Sequence, residues 1–284
     1  TMDLLLERAQ FLRREIARHN DAYYKRAAPE ILDREFDAIV AELAALERDN
    51  PAIAHVASPT QTIGDDRLDG FTQVEHRAPM LSIGNTYDLD EVREFEGRVR
   101  KELDLSEDEA VEYFVELKID GVAMSFVYED GLLVRAVTRG DGRAGDDVTR
   151  NVLTIPEVPR KLARAVPGLL DVRGEVYMLR ADFERLNIER QRESQPTFAN
   201  PRNTTAGTLK QLELDAVISR PMHTFIHSFG IADATNFPDR QSSLLPALAA
   251  LGLPINPLGE CVVGVAGIAG LITRWNTERH TLPY

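Results

Sequence analysis

The chain has 284 residues, 43% of them hydrophobic, and carries 33 Lys and Arg against 46 Asp and Glu, a formal charge of −13. That length and composition suit one large domain or two unequal ones with a real core, and exclude a disordered chain. The charge has the wrong sign for a free-standing nucleic-acid binder, which would need a local basic patch or a further domain.

In chain order, residues 3–25 read as an amphipathic helix, with Leu5, Leu12, Ile16 and Tyr23 at helical spacing. The Thr1-Met2 start leads into charged helical sequence and shows no signal peptide. A loop with Pro29 follows. Asp33 then caps a second helix carrying Phe36, Ile39, Val40, Leu43 and Leu46, which Asn50-Pro51 stops. Two helices bury little by themselves, so residues 1–68 form a small satellite unit, and 51–70 read as its linker. A helix over 88–103 sets Val92, Phe95, Val99 and Leu103 on one face. Strands are expected at 111–120, 122–128, 132–139, 169–178 and 224–229, with a hairpin turn at Glu129-Asp130-Gly131. Helices return at 181–193, 242–251 and 265–278. The single cysteine, Cys261, excludes an internal disulfide and a cysteine zinc site, and fits a reducing, cytoplasmic location. It opens the longest apolar stretch, Cys261 to Ile272, whose 12 residues include three glycines and cannot span a bilayer. The expected fold is α+β: a helical subdomain, then a mixed, mainly antiparallel-sheet body over 69–284.

The segment Val115-Glu116-Leu117-Lys118-Ile119-Asp120-Gly121 carries the most chemistry. Strand alternation would turn Val115, Leu117 and Ile119 toward a core and set Glu116, Lys118 and Asp120 in line on the other face. A solvated sheet face with alternating charges fits that pattern. So does a lysine nucleophile between two carboxylates. An amine attacks only when neutral, and flanking carboxylates raise a lysine pKa. The second reading therefore needs desolvation or a nearby cation, such as a metal ion or an arginine. Gly121 would permit close approach of a ligand, or a sharp turn.

Four more segments stand around it. Upstream is Pro79-Met80-Leu81-Ser82-Ile83-Gly84-Asn85-Thr86-Tyr87. Downstream, Thr138-Arg139-Gly140-Asp141-Gly142 follows a strand; its glycines free backbone N–H groups and Arg139 offers a planar fork. Val172-Arg173-Gly174-Glu175-Val176-Tyr177 sets Arg173, Glu175 and Tyr177 on one face. Phe198-Ala199-Asn200-Pro201-Arg202-Asn203 leads into Ala206-Gly207 and then Leu209-Lys210-Gln211. The first helices add Tyr23-Tyr24, Pro29-Glu30-Ile31, Asp33, Phe36 and Asp37.

Glu116 to Gly121 resembles the Lys-x-Asp-Gly signature of covalent nucleotidyltransferases. The whole ordered set, spread over residues 20–211, resembles bacterial NAD-dependent DNA ligases. Two positions depart from that pattern: Lys210 stands where the family has Arg, and Phe36 where it commonly has Tyr. The resemblance implies that Lys118 attacks the AMP phosphorus of NAD and expels nicotinamide mononucleotide (NMN), with Asp120 helping metal or lysine activation. It places Glu116, Ser82 and Ile83 at the base, Arg139 and Glu175 at the ribose, and Arg202 and Lys210 at the phosphates. Tyr23, Tyr24, Asp33 and Asp37 would hold the NMN half.

Mg²⁺ would neutralise phosphate charge, though no residue is assigned as a metal ligand. The resemblance further implies domains beyond Tyr284 that engage nicked duplex DNA. It implies too a sheet strand beyond that point, so that this chain is limited to self-adenylation at most. A monomeric bacterial, nucleoid-associated protein is expected. Two other readings stay open: an ATP-dependent ligase or capping-type enzyme, and a non-catalytic NAD-binding fragment. The aromatic and acidic N-terminal unit argues against the first. His223 and His227 are four residues apart on an expected strand and read as structural, as does Trp275.

Overall fold

Leu12 and Ile16, one helical turn apart, are buried against Leu43, and that contact pairs α1 (Met2–Asn20) with α2 (Asp33–Asp49). The computed structural model describes residues 2–25, 29–54, 58–60, 70–106, 108–233 and 236–284. Arg8 to Glu42 at 2.6 Å and Arg13 to Glu47 at 2.7 Å bridge the two helices. Glu47 also accepts from Ser58 Oγ at 2.9 Å and Thr60 Oγ1 at 2.8 Å, which ties the chain beyond Pro51 back onto the pair.

Two expectations need correction here. The first helix does not run unbroken to residue 25; it widens into a π turn over Asp21–Lys25, which carries Tyr23. Asp33 is not the cap of α2 but its first residue. Leu32 holds the cap position, and the Glu35 carboxylate takes the Leu32 N–H at 2.8 Å. The expected linker over 51–70 and the domain boundary at 68 fall largely on residues 55–57 and 61–69, outside the described residues.

The body is built on a four-stranded antiparallel sheet in the order β4-β3-β6-β7. Its strands are β3 (Val122–Glu129), β4 (Leu132–Thr138), β6 (Leu169–Tyr177) and β7 (His223–Ala232). Two short ladders flank it: β1 (Gln73–Glu75) with β5 (Ala144–Asp146), and β2 (Glu112–Val115) with β8 (Glu260–Val263). The helices are α3 (Leu89–Glu102), α4 (Thr149–Val152), α5 (Arg180–Arg192), α6 (Pro201–Leu209), α7 (Leu214–Ile218), α8 (Gln241–Ala249) and α9 (Gly264–Glu278). Asp130 and Gly131, at φ of 48° and 77°, make the β3–β4 turn that the sequence signals.

Register settles which face of the sheet does what. Met124, Phe126 and Tyr128 lie opposite Gly174, Val172 and Leu170, and their face packs on helices through residues such as Val152, Val217 and Leu248. The other face carries Ala123 and Ser125 opposite Glu175 and Arg173. Polar residues on that second face are therefore free to line a cleft.

The strand expected over 111–120 stops at Val115. Its pairing with β8 ends there, and Glu116 to Gly121 continue outside any ladder. The alternation survives: Leu117 and Ile119 are half-buried, and Glu116, Lys118 and Asp120 are exposed. Gly121 stands at a bend where the segment closes onto a neighbouring strand. A Cβ there would stand 2.3 Å from the Val176 carbonyl oxygen, so the glycine lets this segment close onto β6. No described helix is long and apolar enough to cross a membrane.

Candidate functional site

The polar face of the sheet, α6 and the segments 79–85 and 116–119 enclose a cleft of about 750 Å³. Of the expected residues, Tyr23, Ser82, Ile83, Glu116, Lys118, Arg139, Glu175, Arg202 and Lys210 all line it. Its lining cations are Lys118, Arg139, Arg173, Arg202 and Lys210, against two carboxylates, Glu116 and Glu175. A chain that is acidic overall thus folds a locally cationic pocket, which attracts anionic ligands.

A smaller cavity of about 240 Å³ adjoins it, lined by residues that include His19, Tyr23, Phe36, Asp37, Asn85 and Lys118. Tyr23, Asn85 and Lys118 border both cavities, so the lysine stands where the two meet. Asp37 faces only the smaller one. It accepts from Asn85 Nδ2 at 3.2 Å and from the Tyr87 hydroxyl. The side chains of Tyr24 and Asp33 lie outside the described residues.

The carboxylates flanking Lys118 are engaged elsewhere. Glu116 Oε2 accepts from Gln241 Nε2 at 2.8 Å, and Asp120 Oδ1 from Arg202 Nη1 at 3.1 Å. Asp120 does not line the cleft; its exposed carboxylate sits at the rim, held by Arg202. Although part of Glu116 is open to solvent, desolvation of its carboxylate in the cleft wall raises its pKa against the pull of the Gln241 bond. Glu175 is affected more. Burial pushes it up to about 7, with Asp120 adding to the rise, while Arg202, Lys118 and Arg139 pull it down.

Arg202 is the second residue of α6, whose start is written in the sequence as Asn200-Pro201. The Asn200 side chain accepts from the Asn203 N–H at 2.7 Å, and Pro201 takes the first helical position. The expected elements did not include this helix. At its far end Lys210 is buried in an ion pair with Asp146 at 3.1 Å. In the Thr138–Gly142 loop, Gly140 has φ of 58°, and a Cβ there would meet the Ala144 carbonyl oxygen at 1.8 Å.

Several lining residues escaped the sequence reading. His227, read as structural, lies in the cleft with part of its ring open to solvent; desolvation by the cleft wall first, then Lys118 and Arg173, lower its pKa. The strand pattern of 224–229 gave no sign of which face would be covered. His223 is turned elsewhere and pairs with Glu157 at 2.5 Å. Arg173 was placed on the right face. It is buried with Asp171 at 2.7 Å and also donates to the Ala78 carbonyl at 2.8 Å. Tyr177, grouped with Arg173 and Glu175 in the sequence, packs instead against Phe225 and Tyr284.

A cleft of this size, lined by apolar walls and convergent cations, suits a phosphate-bearing ligand as large as a nucleotide. Two family models match the chain. One, described as the NAD-dependent DNA ligase adenylation domain, matches residues 68–284. The other, described as a DNA ligase-like, N-terminal NAD+-binding domain, matches residues 2–64. A DNA ligase of Geotalea uraniireducens is 42% identical over 278 residues, which cover 98% of this chain and 41% of that relative. A DNA ligase of Geotalea daltonii is 41% identical over 278 residues, with the same coverage of 98% and 41%. The chain thus spans about two-fifths of the length of these relatives.

Proposed function

The chain belongs to the NAD-dependent DNA ligase family, through its adenylation domain and its N-terminal NAD+-binding domain, and from that premise we infer that Lys118 is the nucleophile that takes AMP from NAD. The observation that carries this reading is the position of Lys118 on the border of both cavities. NAD joins two nucleotides through a pyrophosphate, and a nucleophile between two nucleotide pockets meets that linkage. The larger cleft holds the AMP half and the smaller cavity the NMN half. Residues 1–68 and 69–284 divide the work in the same way.

In the reaction, a Lys118 Nζ–phosphorus bond forms, the phosphorus–oxygen bond to NMN breaks, and the amine loses a proton. Ser82, Ile83 and Glu116 border the base. Arg139 and Glu175 take the ribose, and a Glu175 carboxyl poised near neutrality can donate or accept there. Arg202 and Lys210 steady the phosphates. Tyr23, Tyr24, Asp33 and Asp37 hold the NMN half. Asp120 holds the Arg202 fork beside the reacting centre.

Among the described residues no group of three or more His, Cys, Asp or Glu forms a metal cage. Mg²⁺ does not need one; it commonly binds through one or two carboxylates together with substrate phosphates. Asp120 is the carboxylate suited to that role, and the ion would supply neutralisation of phosphate charge. In the whole protein the AMP passes on to the 5′-phosphate of nicked duplex DNA, and the 3′-hydroxyl then displaces it.

Intact mass under denaturing conditions tests this reading. The protein is first stripped of AMP with excess NMN, then given NAD and Mg²⁺ beside the variant Lys118→Ala. A gain of one AMP, absent from the folded variant, is expected. A labelled variant would remove Lys118 from its role, and no gain in the parent chain would remove self-adenylation from this chain.

A further inference from the structure

Asn203 has a side-chain amide that the fold does not use. The residue is only 5% exposed, and its side-chain nitrogen has no hydrogen-bond partner. It lies in the first turn of α6 and lines the larger cleft. Buried donors are satisfied in the great majority of cases, and leaving one bare costs about 1–3 kcal/mol. Other polar side chains of α6 follow that rule. Thr204, Thr205 and Thr208 return their hydroxyl protons to the carbonyls of Asn200, Pro201 and Thr204 at 2.8, 2.9 and 2.7 Å. Asn203 is buried on the cleft wall with its Nδ2 donor unmatched by any protein acceptor, and that donor points to an acceptor from outside the protein.

The surroundings say which acceptor. Asn203, Ala206 and Lys210 recur at helical spacing and all line the cleft, with Arg202 beside them. Ala206 leaves the wall between the amide and Lys210 open. An atom that meets Asn203 therefore lies beside Arg202 and Lys210, each of which also pairs with an aspartate, and close to a helix N-terminus, where the backbone dipole favours negative charge. That environment selects an anionic oxygen over a base edge or a sugar hydroxyl.

We propose that the Asn203 amide is a substrate-binding group that donates its N–H to a phosphate oxygen of the bound nucleotide. The proposal rests on the reading of the cleft as a nucleotide site. It adds to the cations a neutral donor that orients the phosphate without changing the charge of the pocket.

Titration calorimetry of AMP, adenosine and NAD, with AMP-stripped parent chain, Asn203→Asp and Asn203→Ala, tests it. Thermal unfolding checks that each variant is folded, and Asn203→Ser replaces any that is not. The expected result is a loss of about 10- to 100-fold in AMP and NAD affinity with adenosine affinity unchanged. An equal loss for adenosine would overturn the phosphate assignment. Unchanged AMP and NAD affinity in folded variants would overturn the proposal, meaning that water satisfies the amide, and would leave the nucleotide reading intact. Failure of the parent chain to bind any of the three would overturn both.

Discussion

The guanidinium carbon of Arg202 lies 5.0 Å from the centre of the Tyr23 ring. Arg202 lies in the first turn of α6 in the body, and Tyr23 belongs to the π turn that ends the first helix. The contact therefore joins the helical hairpin to the cleft wall, and Arg202 also holds Asp120. A cation over an aromatic face is worth about 0.5–2 kcal/mol. Tyr23 borders both cavities, so Tyr23→Ala is expected to weaken NAD binding by about 3- to 30-fold and AMP binding by less. Titration of both ligands decides. Equal losses for the two would place Tyr23 at the AMP half instead.

Gly121 is expected to tolerate no side chain. An alanine methyl would have to displace the Val176 carbonyl, 2.3 Å away, or the Glu175 side chain at 2.9 Å. Overpacking of this kind costs about 1–3 kcal/mol. Gly121→Ala should lose that much in urea unfolding and should charge more slowly at Lys118, because the lysine segment moves off β6. Parent-like stability would mean that the segment is not held against the strand.

Glu175 predicts a pH dependence. Its carboxyl titrates near 7 in the folded chain, above the ordinary value of 4.5. The native state then holds the proton where the unfolded state has released it. Its contribution to stability is fully present below about pH 4.5 and is lost as pH rises through about 7. Glu175→Gln removes the titration. The variant should gain on the parent chain between pH 5 and pH 8 by on the order of 1–3 kcal/mol, measured by chemical unfolding at both values. A difference independent of pH would mean that the carboxyl ionises normally.

Lys210 and Asp146 form a buried ion pair, and removing one charge strands the other. Lys210→Met should destabilise the chain by about 3–5 kcal/mol. Lys210→Arg keeps the charge and restores the fork, so covalent charging should survive it. Thermal and urea unfolding measure the first expectation, and intact mass the second. If the methionine variant were as stable as the parent, the pair would contribute nothing to the fold.

Much of the fold was legible because periodicity carries it. Leu12, Ile16 and Leu43 announced the helical pair, and Asp130-Gly131 announced the hairpin turn. The long strands carried enough alternation to be read within a few residues. The failures have equally local causes. Residues 116–120 alternate like a strand, yet among the described residues no segment pairs with them, and pairing is a property of two segments. The start of α6 was signalled by Asn200-Pro201, but its Thr-rich run has little helical periodicity to notice.

The sequence by itself determined which chemistry is available: a lysine between two carboxylates, forked arginines, and aromatic and acidic residues near the start, in an order that marks a family. It determined these because motifs are short and their residue types are chemically specific. Only the tertiary structure decided which of them meet. β3–β6 register put Arg173 and Glu175 on one face, the fold set Tyr23 against Arg202, and Lys118 came to border two cavities. It also brought in His227 and Asn203, to which the sequence had assigned no place in the site. Which groups lose water, and so which pKa moves or which amide is left bare, depends on segments far apart in the chain, and no stretch of sequence contains that information.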